Sequence, residues 1–326
     1  MMGIYVDILK RRFAALFFAL TLISPSILAS DGATAYITNQ GEDSVYVVDL
    51  ATAEIIEKIS VGKDPAGVAV GFGKKHVFVT NPSGQSVSVI DTTTRKVVKT
   101  LALTGTPLGI AANPRRPEIY IADWDNARVF VININSFEVE AELTTGKTPA
   151  GVDVDHSGNR LYVANRDHNS VTIFDINTRE KTATVPVGKA PFGVTVSFDD
   201  RFAFTANVQS GDISIIDTHK LEALANVPAG EFPYAIAQDP STDYLFVTNQ
   251  QESTVSVIHF PTRREIKKIT VGDYPEGVAF HDKTGFVYVA NWFSNSISVI
   301  NSETLEEINT IDVGEGARAF GRFVLD

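Results

Sequence analysis

Short apolar segments alternate with short polar segments along residues 35–326, and the same order of positions returns every 42 residues. In each copy an aromatic residue precedes a β-branched residue, then Thr or Ala, then Asn or Asp. These tetrapeptides end at Asn39, Asn81, Asp123, Asn165, Asn207, Asn249 and Asn291. A period of this length, kept without a net insertion, is typical of a repeat architecture.

One copy, residues 62–104, predicts four short strands separated by turns. Strand A covers 68–70, strand B 76–80, strand C 86–90 and strand D 96–101. Four such strands joined by tight turns form one antiparallel sheet. Because strand B is apolar on both faces, it is expected to lie between two other layers. We therefore interpret its seven repeated aromatic residues as core side chains, in preference to a ladder that stacks on a ligand.

The two ends of the repeat region predict how the molecule closes. The first copy begins at strand B, near Ala35, and lacks a strand A, whereas the 42-residue frame places Arg318–Phe323 on a strand A. The C-terminal segment is therefore expected to complete the N-terminal sheet. The predicted fold is an all-β, seven-bladed β-propeller with four antiparallel strands per blade, closed by the C-terminal strand completing the first blade. Closure of this kind leaves no long unprotected sheet edge.

Strand C usually ends in Asp or Asn, which are residue types that can bind a metal ion. Asx side chains also accept hydrogen bonds from their own backbone in turns. His259 takes this position in one copy, which a turn tolerates and a repeated metal site does not. We therefore interpret the column as turn residues.

The tetrapeptides at 78–81, 162–165 and 246–249, with Val-Gly-x-x-Pro-x-Gly-Val turns before them, resemble the YVTN-repeat β-propeller family. That family includes archaeal surface-layer proteins and periplasmic proteins of the YncE type. The resemblance covers residues 33–326 and implies the same propeller fold. It implies little about activity, because the motif residues are structural. The chain departs from the pattern in single turn positions, at Thr104, Asp123 and Ala317.

The N-terminal residues differ from the repeats. A basic cluster and an apolar run precede small residues at Ala29 and Ser30, which predicts a secretory signal peptide over residues 1–30 with cleavage near Ala29/Ser30. Residues 31–326 then form one propeller domain, periplasmic or secreted, with no membrane span after cleavage. The alternative is a retained anchor, although Pro25 interrupts the apolar run.

The amino-acid composition excludes several kinds of binding site. The chain has no cysteine, which excludes disulfides, thiolate metal sites and covalent haem attachment through C-x-x-C-H. Without residues 1–30, which hold three basic residues and one acidic residue, 25 basic and 38 acidic residues give a net charge of −13. This acidity opposes the phosphate contacts on which nucleic-acid binding depends. A monomer that does not bind nucleic acid is expected.

The loops that precede strand A and follow strand B are expected on one face of the propeller, called the D–A/B–C face. Rigid scaffolds commonly carry function on such loops. The predicted binding residues form three groups. The aromatic group consists of Phe192, Phe232, Tyr234, Tyr274, Trp292 and Phe293, and the charged rim consists of Lys147, Lys189, Glu231 and Asp273. Two loops that depart from the repeat contribute Trp124, Arg166 and His168. A protein partner or a small cationic or aromatic ligand would fit this set. The alternative for the aromatic group is that the rings plug the channel entrance. For the two aberrant loops an exposed, salt-bridged surface is the preferred interpretation.

No H-x-H, H-E-x-x-H or G-x-S-x-G motif is present, so no catalytic residue, metal ligand or cofactor is identified. The expected function is an exported, non-catalytic binding or interaction module. Three alternatives stay open: a lactonase- or hydrolase-like propeller enzyme, a protein with a non-covalent redox cofactor, and a DNA-binding periplasmic propeller.

Overall fold

The computed structural model describes residues 32–326, which form seven β-sheets around a central channel. The predicted seven-bladed propeller with four antiparallel strands per blade is confirmed. The signal peptide predicted for residues 1–30 lies outside the described residues. Strand A of each blade lines the channel, and strand D forms the outer surface.

The strands follow the repeat in chain order. Blade 1 contains β1 (Thr34–Asn39), β2 (Ser44–Asp49) and β3 (Glu54–Ser60). Blade 2 contains β4 (Gly67–Val70), β5 (His76–Asn81), β6 (Ser86–Asp91) and β7 (Lys96–Ala102). Blade 3 contains β8 (Pro107–Ala112), β9 (Glu118–Asp123), β10 (Arg128–Asn133) and β11 (Glu138–Thr144). Blade 4 contains β12 (Pro149–Val154), β13 (Arg160–Asn165), β14 (Ser170–Asp175) and β15 (Glu180–Pro186).

The remaining blades repeat this arrangement. Blade 5 contains β16 (Pro191–Val196), β17 (Phe202–Asn207), β18 (Asp212–Asp217) and β19 (Glu222–Pro228). Blade 6 contains β20 (Pro233–Asp239), β21 (Tyr244–Asn249), β22 (Thr254–His259) and β23 (Arg264–Thr270). Blade 7 contains β24 (Pro275–His281), β25 (Phe286–Asn291), β26 (Ser296–Asn301) and β27 (Glu306–Asp312). The C-terminal strands are β28 (Phe320–Arg322) and β29 (Val324–Leu325), and short 3-10 turns cover Gln40–Glu42, Phe72–Lys74 and Arg166–His168.

The C-terminal segment closes the ring, as predicted. β29 pairs antiparallel with β1, and Ala317 forms a further bridge to Asn39. The middle of the segment differs from the expectation, because β28 turns away from β1 and pairs in parallel with β4 of blade 2. Gly321 makes this detour possible: its φ is +119°, and a Cβ there would lie 2.5 Å from the carbonyl oxygen of Val68.

The detour shifts the pairing of blade 1 relative to the other blades. Blade 4 pairs Val154 with Leu161, and the residues at the same repeat positions in blade 1 are Arg322 and Ala35. Ala35 instead faces Val324. The closing segment therefore has two more residues before this pairing than a strand A of the repeat, and it pairs with strands of two blades, β4 and β1.

The repeated aromatic residues of strand B form the core between the sheets. None is more than 1% exposed, and they are Tyr36, Phe78, Tyr120, Tyr162, Phe204, Phe246 and Tyr288. The interpretation of this column as core is confirmed. Burial of each ring between two sheets is the main favourable contribution to the packing of neighbouring blades.

The repeated Asn of strand B connects three parts of a blade. The side-chain amide of Asn165 donates to the hydroxyls of Ser170 and Thr172 on the next strand. Its carbonyl oxygen accepts the backbone N–H of Gly146, in the turn that leads into strand A. Asn249 makes the equivalent contacts in blade 6. The motif residue is therefore structural, as its sequence context implied.

Candidate functional site

The central channel has two mouths, one on the D–A/B–C face and one on the opposite face, where the A–B and C–D turns lie. The residues chosen from the sequence lie at the first mouth. A cavity of about 330 Å³ opens at the second mouth.

Phe192 and Tyr234 close the channel below the D–A/B–C face. Their side chains are only 7% and 3% exposed, and their rings stack with centroids 4.2 Å apart. Both rings also contact Phe320 of the closing segment. Their burial favours the channel-plug alternative for these two residues, because a partner on the surface reaches neither ring.

A buried polar network surrounds the plug. The guanidinium of Arg318 donates to Glu276 Oε2 at 2.6 Å and to the hydroxyl of Tyr234 at 2.7 Å. Gln250 donates to the other carboxylate oxygen of Glu276 at 2.8 Å. Burial raises the pKa of Glu276 above its ordinary range, and the charge of Arg318 offsets part of that rise. Loss of either partner would leave a buried charge without compensation.

A second aromatic group lies at the surface of the same face. The ring of Phe293 lies 4.6 Å from Trp292 and 4.4 Å from Tyr274, and 58% of Phe293 is exposed. The guanidinium of Arg318 lies 5.9 Å from the Trp292 ring, so it sits between this group and the plug. Phe232, in the turn before β20, is half-buried.

The charged rim residues are all exposed. Lys147 and Lys189 precede blades 4 and 5, whereas Glu231 and Asp273 precede blades 6 and 7. The basic and acidic residues therefore occupy different arcs of the ring. Such separation produces opposite potentials on the two sides of one face.

The two aberrant loops meet across neighbouring blades. The guanidinium of Arg166 lies 5.9 Å from the Trp124 ring, and that ring lies 5.8 Å from Phe192. Arg166 also pairs with the adjacent Asp167 at 2.7 Å. His168 is exposed beside them. These contacts connect Phe192 of the plug with the side of the face that carries Lys147 and Lys189.

The cavity at the other mouth, called the A–B cavity, has small side chains in its wall and Phe320 at its inner end. The wall residues are one repeat apart on strand A: Ala111, Asp153, Thr195, Ala237, Ala279 and Gly321. Its polar and aromatic rim consists of His156, Phe198, Gln238, His281, Asp282, Arg322 and Asp326. Sequence reasoning selected none of these residues. The sequence does contain a signal for this cavity. A column of small residues along the innermost strands leaves space inside a ring.

His156 is one of the two histidines of this rim. Its Nδ1 lies 3.2 Å from Oδ1 of Asp200, whose carboxylate also accepts the backbone N–H groups of His156 and Ser157. The ring stacks on Phe198 at 5.1 Å. Nε2 makes no hydrogen bond to any residue in the described part of the chain. A carboxylate that orients a histidine through its other nitrogen is typical of metal-binding sites.

His281, across the rim, is held differently. Its Nδ1 lies 2.9 Å from Thr284 Oγ1 and its Nε2 lies 2.5 Å from Asp326 Oδ1. Donor atoms of His281, Asp282 and Asp326 lie within 4.8 Å of one another. Both imidazole nitrogens are already engaged, and the residue occupies a repeat position that caps the A–B turn in other blades. We therefore interpret His281 as a turn residue.

Arg322 lies at the edge of the cavity mouth. It lies in the detour of the closing segment, and its Nη2 reaches Asp153 Oδ1 of blade 4 at 3.0 Å. The side chain is 47% exposed, so it retains access to solvent. The detour thus delivers one cationic group to an otherwise acidic rim.

Together these features define a seven-bladed β-propeller with a ligand-sized cavity at one channel mouth. The sequence profile of the cytochrome D1 haem domain matches residues 119–318, more than half of the chain, and the chain belongs to that family. Among curated proteins no sequence matches significantly. The propeller class implied by the YVTN resemblance is confirmed. In residues 32–326, no helix has the length and apolarity needed to cross a membrane.

Solved structures with the same fold share little sequence with this chain. Kuenenia stuttgartiensis hydrazine synthase is 21% identical with a TM-score of 0.75, covering 83% of this chain and 93% of that chain. A functionally unknown protein from Desulfotomaculum acetoxidans DSM 771 is 17% identical with a TM-score of 0.77, covering 88% and 99%. The dihydro-heme d1 dehydrogenase NirN, solved in complex with DHE, is 13% identical with a TM-score of 0.67, covering 89% and 75%. These similarities concern the fold alone.

Proposed function

We propose that the chain binds a haem-type tetrapyrrole without covalent attachment, in the A–B cavity. The observation that carries the proposal is His156, whose Nδ1 is anchored on Asp200 while Nε2 is uncommitted at the rim of the cavity. The name of the matched family and the ligand in the NirN structure supply the ligand class. The alternative of a non-covalent redox cofactor is therefore preferred to a purely non-catalytic module.

The residues of the cavity fit such a group. Its volume of about 330 Å³ is within the range of small-molecule sites, and the open mouth lets a larger ligand extend outward. A neutral imidazole is a common axial ligand of haem iron. Phe198 offers an aromatic face beside that imidazole. Arg322 offers a guanidinium, the side chain best suited to carboxylates.

A bound haem would supply an iron centre whose redox potential depends on its surroundings. Within the chain, a proton on His156 Nδ1 would be shared with Asp200, which would leave the lone pair of Nε2 for a metal ion. Because the chain has no cysteine, no thioether bond holds the group, and its retention depends on these contacts.

Titration of the purified protein with hemin, followed by its Soret absorbance, tests the proposal. We expect saturable binding by the wild type and an affinity at least about tenfold lower for His156→Ala, because the side chain that would hold the iron is removed. His219→Ala is the matched control, since that exposed histidine lies in a C–D turn of the same face, away from the cavity. Equal hemin affinity in all three proteins, or no saturable shift in the wild type, would contradict the proposal.

We further propose that the protein is exported and that its repeats belong with the YVTN-type propellers. The support is the basic and apolar character of residues 1–30 and the repeated tetrapeptide. N-terminal sequencing of the protein from the periplasmic fraction, with Ser30 or Asp31 as the first residue, is the expected result. A chain that keeps Met1 in the cytoplasm argues against export.

A further inference from the structure

We infer that the acidic and aromatic arc of the D–A/B–C face docks a basic segment of a partner protein. The surface comprises Glu231, Asp273, Tyr274, Trp292, Phe293 and Glu315 and is called the acidic–aromatic patch. It spans the loops of blades 6, 7 and 1. The plug of Phe192 and Tyr234 separates it from the A–B cavity, so it does not depend on the haem proposal.

The aromatic part of the patch is accessible and continuous. Phe293 is the most exposed large apolar side chain among residues 32–326, and its ring stacks on Trp292 with an interplanar angle of 22°. Tyr274 packs against both rings. Clustered exposed aromatic residues are typical of the centres of protein interfaces, whereas single exposed apolar residues are common on any surface.

The rings of Tyr274 and Phe232 stand on a turn position whose backbone is left-handed in most blades. Tyr274 and Phe232 have φ values of +57° and +58°, in the left-handed region that bulky residues disfavour. The same repeat position holds small or polar residues elsewhere, namely Asp64, Thr148, Ala190 and Gly316. Phe232 packs against the buried core beneath the plug, whereas Tyr274 contributes its ring to the patch. Left-handed φ values also occur at Phe137, Leu221 and Leu305 in the C–D turns, so they belong to the repeat, and the proposal does not depend on them.

The negative charge of the patch indicates that its partner is basic. Glu231, Asp273 and Glu315 are exposed, and none of them forms a salt bridge with a residue in the described range. The nearby Arg318 is already paired with Glu276. Arginine fits this surface best, because its guanidinium both stacks on aromatic rings and pairs with carboxylates.

The spacing of the carboxylates favours a polypeptide over a small cation. One carboxylate comes from each of three successive blades, so a ligand that contacts all three must be extended. The basic arc with Lys147 and Lys189 lies on the other side of the face and repels a basic segment there. The segment is therefore expected to bind on one side only.

The test uses a fluorescent synthetic peptide of alternating arginine and glycine, measured by anisotropy. We expect saturable binding to the wild type, and about tenfold weaker binding to E231Q/D273N/E315Q and to F293A. The control E54Q/E180Q/E306Q removes the same number of charges from exposed outer strands and should bind the peptide as the wild type does. His156→Ala should also bind normally, which separates this proposal from the haem site.

Three results would overturn the inference. They are no peptide binding by the wild type, equal loss of binding in the patch and outer-strand variants, and complete displacement of the peptide by tetramethylammonium at equal concentration. The last result would indicate a site for a small cation. Unchanged circular dichroism and thermal unfolding of each variant show that the binding measurements compare folded proteins.

Discussion

At the scale of single residues, blade 3 shows how one change in the repeat is compensated by another. Asp123 replaces the repeated Asn and is fully buried. A carboxylate cannot donate to the hydroxyl groups that Asn contacts elsewhere. Five residues later, where most blades have Ser or Thr, Arg128 donates to Asp123 Oδ2 at 2.8 Å and also to Glu142 and to the Thr104 carbonyl. The sequence identified Asp123 as a departure, and the contact with Arg128 explains how it is accommodated.

We predict that Arg128→Ser lowers the free energy of unfolding by about 3 kcal/mol, because the buried carboxylate of Asp123 loses its charged partner. The double variant D123N/R128S restores the Asn and Ser found in other blades and should recover most of that loss. Urea unfolding of the wild type, both single variants and the double variant measures the coupling. Additive effects of the two single changes would show that the residues act independently.

At the scale of elements, the C–D turns depend on the Asx residue that ends strand C. Oδ1 of Asp91 accepts the backbone N–H groups of Thr93 and Thr94, and Asp175 and Asp217 make the same contacts. Asn133 and Asn301 accept equivalent bonds in blades 3 and 7. The interpretation of this column as turn residues is therefore confirmed. The same contacts stabilise the ionised carboxylates.

These turns predict part of the acid sensitivity of the fold. Backbone hydrogen bonds lower the pKa of Asp91, Asp175 and Asp217 below its usual value. Because the folded pKa lies below the unfolded one, the stabilisation is complete above about pH 4 and is lost as the pH falls through the folded pKa. Asparagine forms the same turn without a titrating group.

The triple variant D91N/D175N/D217N should therefore lose less stability than the wild type when the pH is lowered from about pH 6 to about pH 3. Thermal unfolding at several pH values in this range measures the difference. The variant E54Q/E180Q/E306Q is the control, since it removes three exposed carboxylates that cap no turn. An unchanged acid dependence in the triple Asn variant would show that these turns do not contribute.

At the scale of the whole molecule, the ring depends on the C-terminal segment. β29 supplies the inner strand of blade 1, β28 contacts blade 2, and Arg318 neutralises the buried Glu276 of blade 7. Three blades therefore meet at this short stretch of chain. Its loss would expose an inner strand edge and leave a buried carboxylate without its partner.

Deletion of residues 317–326 should lower the melting temperature by at least about 10 °C, since several kcal/mol of packing and pairing are removed. A circular permutant that begins at Gly314 and joins residue 326 to Ala33 through a short turn keeps every strand. We expect it to unfold close to the wild-type temperature, because each blade then consists of consecutive strands A to D. A deletion variant that melts like the wild type would show that closure does not depend on this segment.

The sequence by itself determined the strands, the number of blades and the core, because alternation and turn chemistry act between residues close in the chain and the 42-residue period repeats them. Tertiary structure decided which channel mouth holds a cavity and which predicted rings are buried. His156 meets Asp200 from 44 residues away, and Arg322 meets Asp153 from 169 residues away. The first contact requires blades 4 and 5 to pack side by side, and the second requires the ring to close. The local pattern carries no information about either distance.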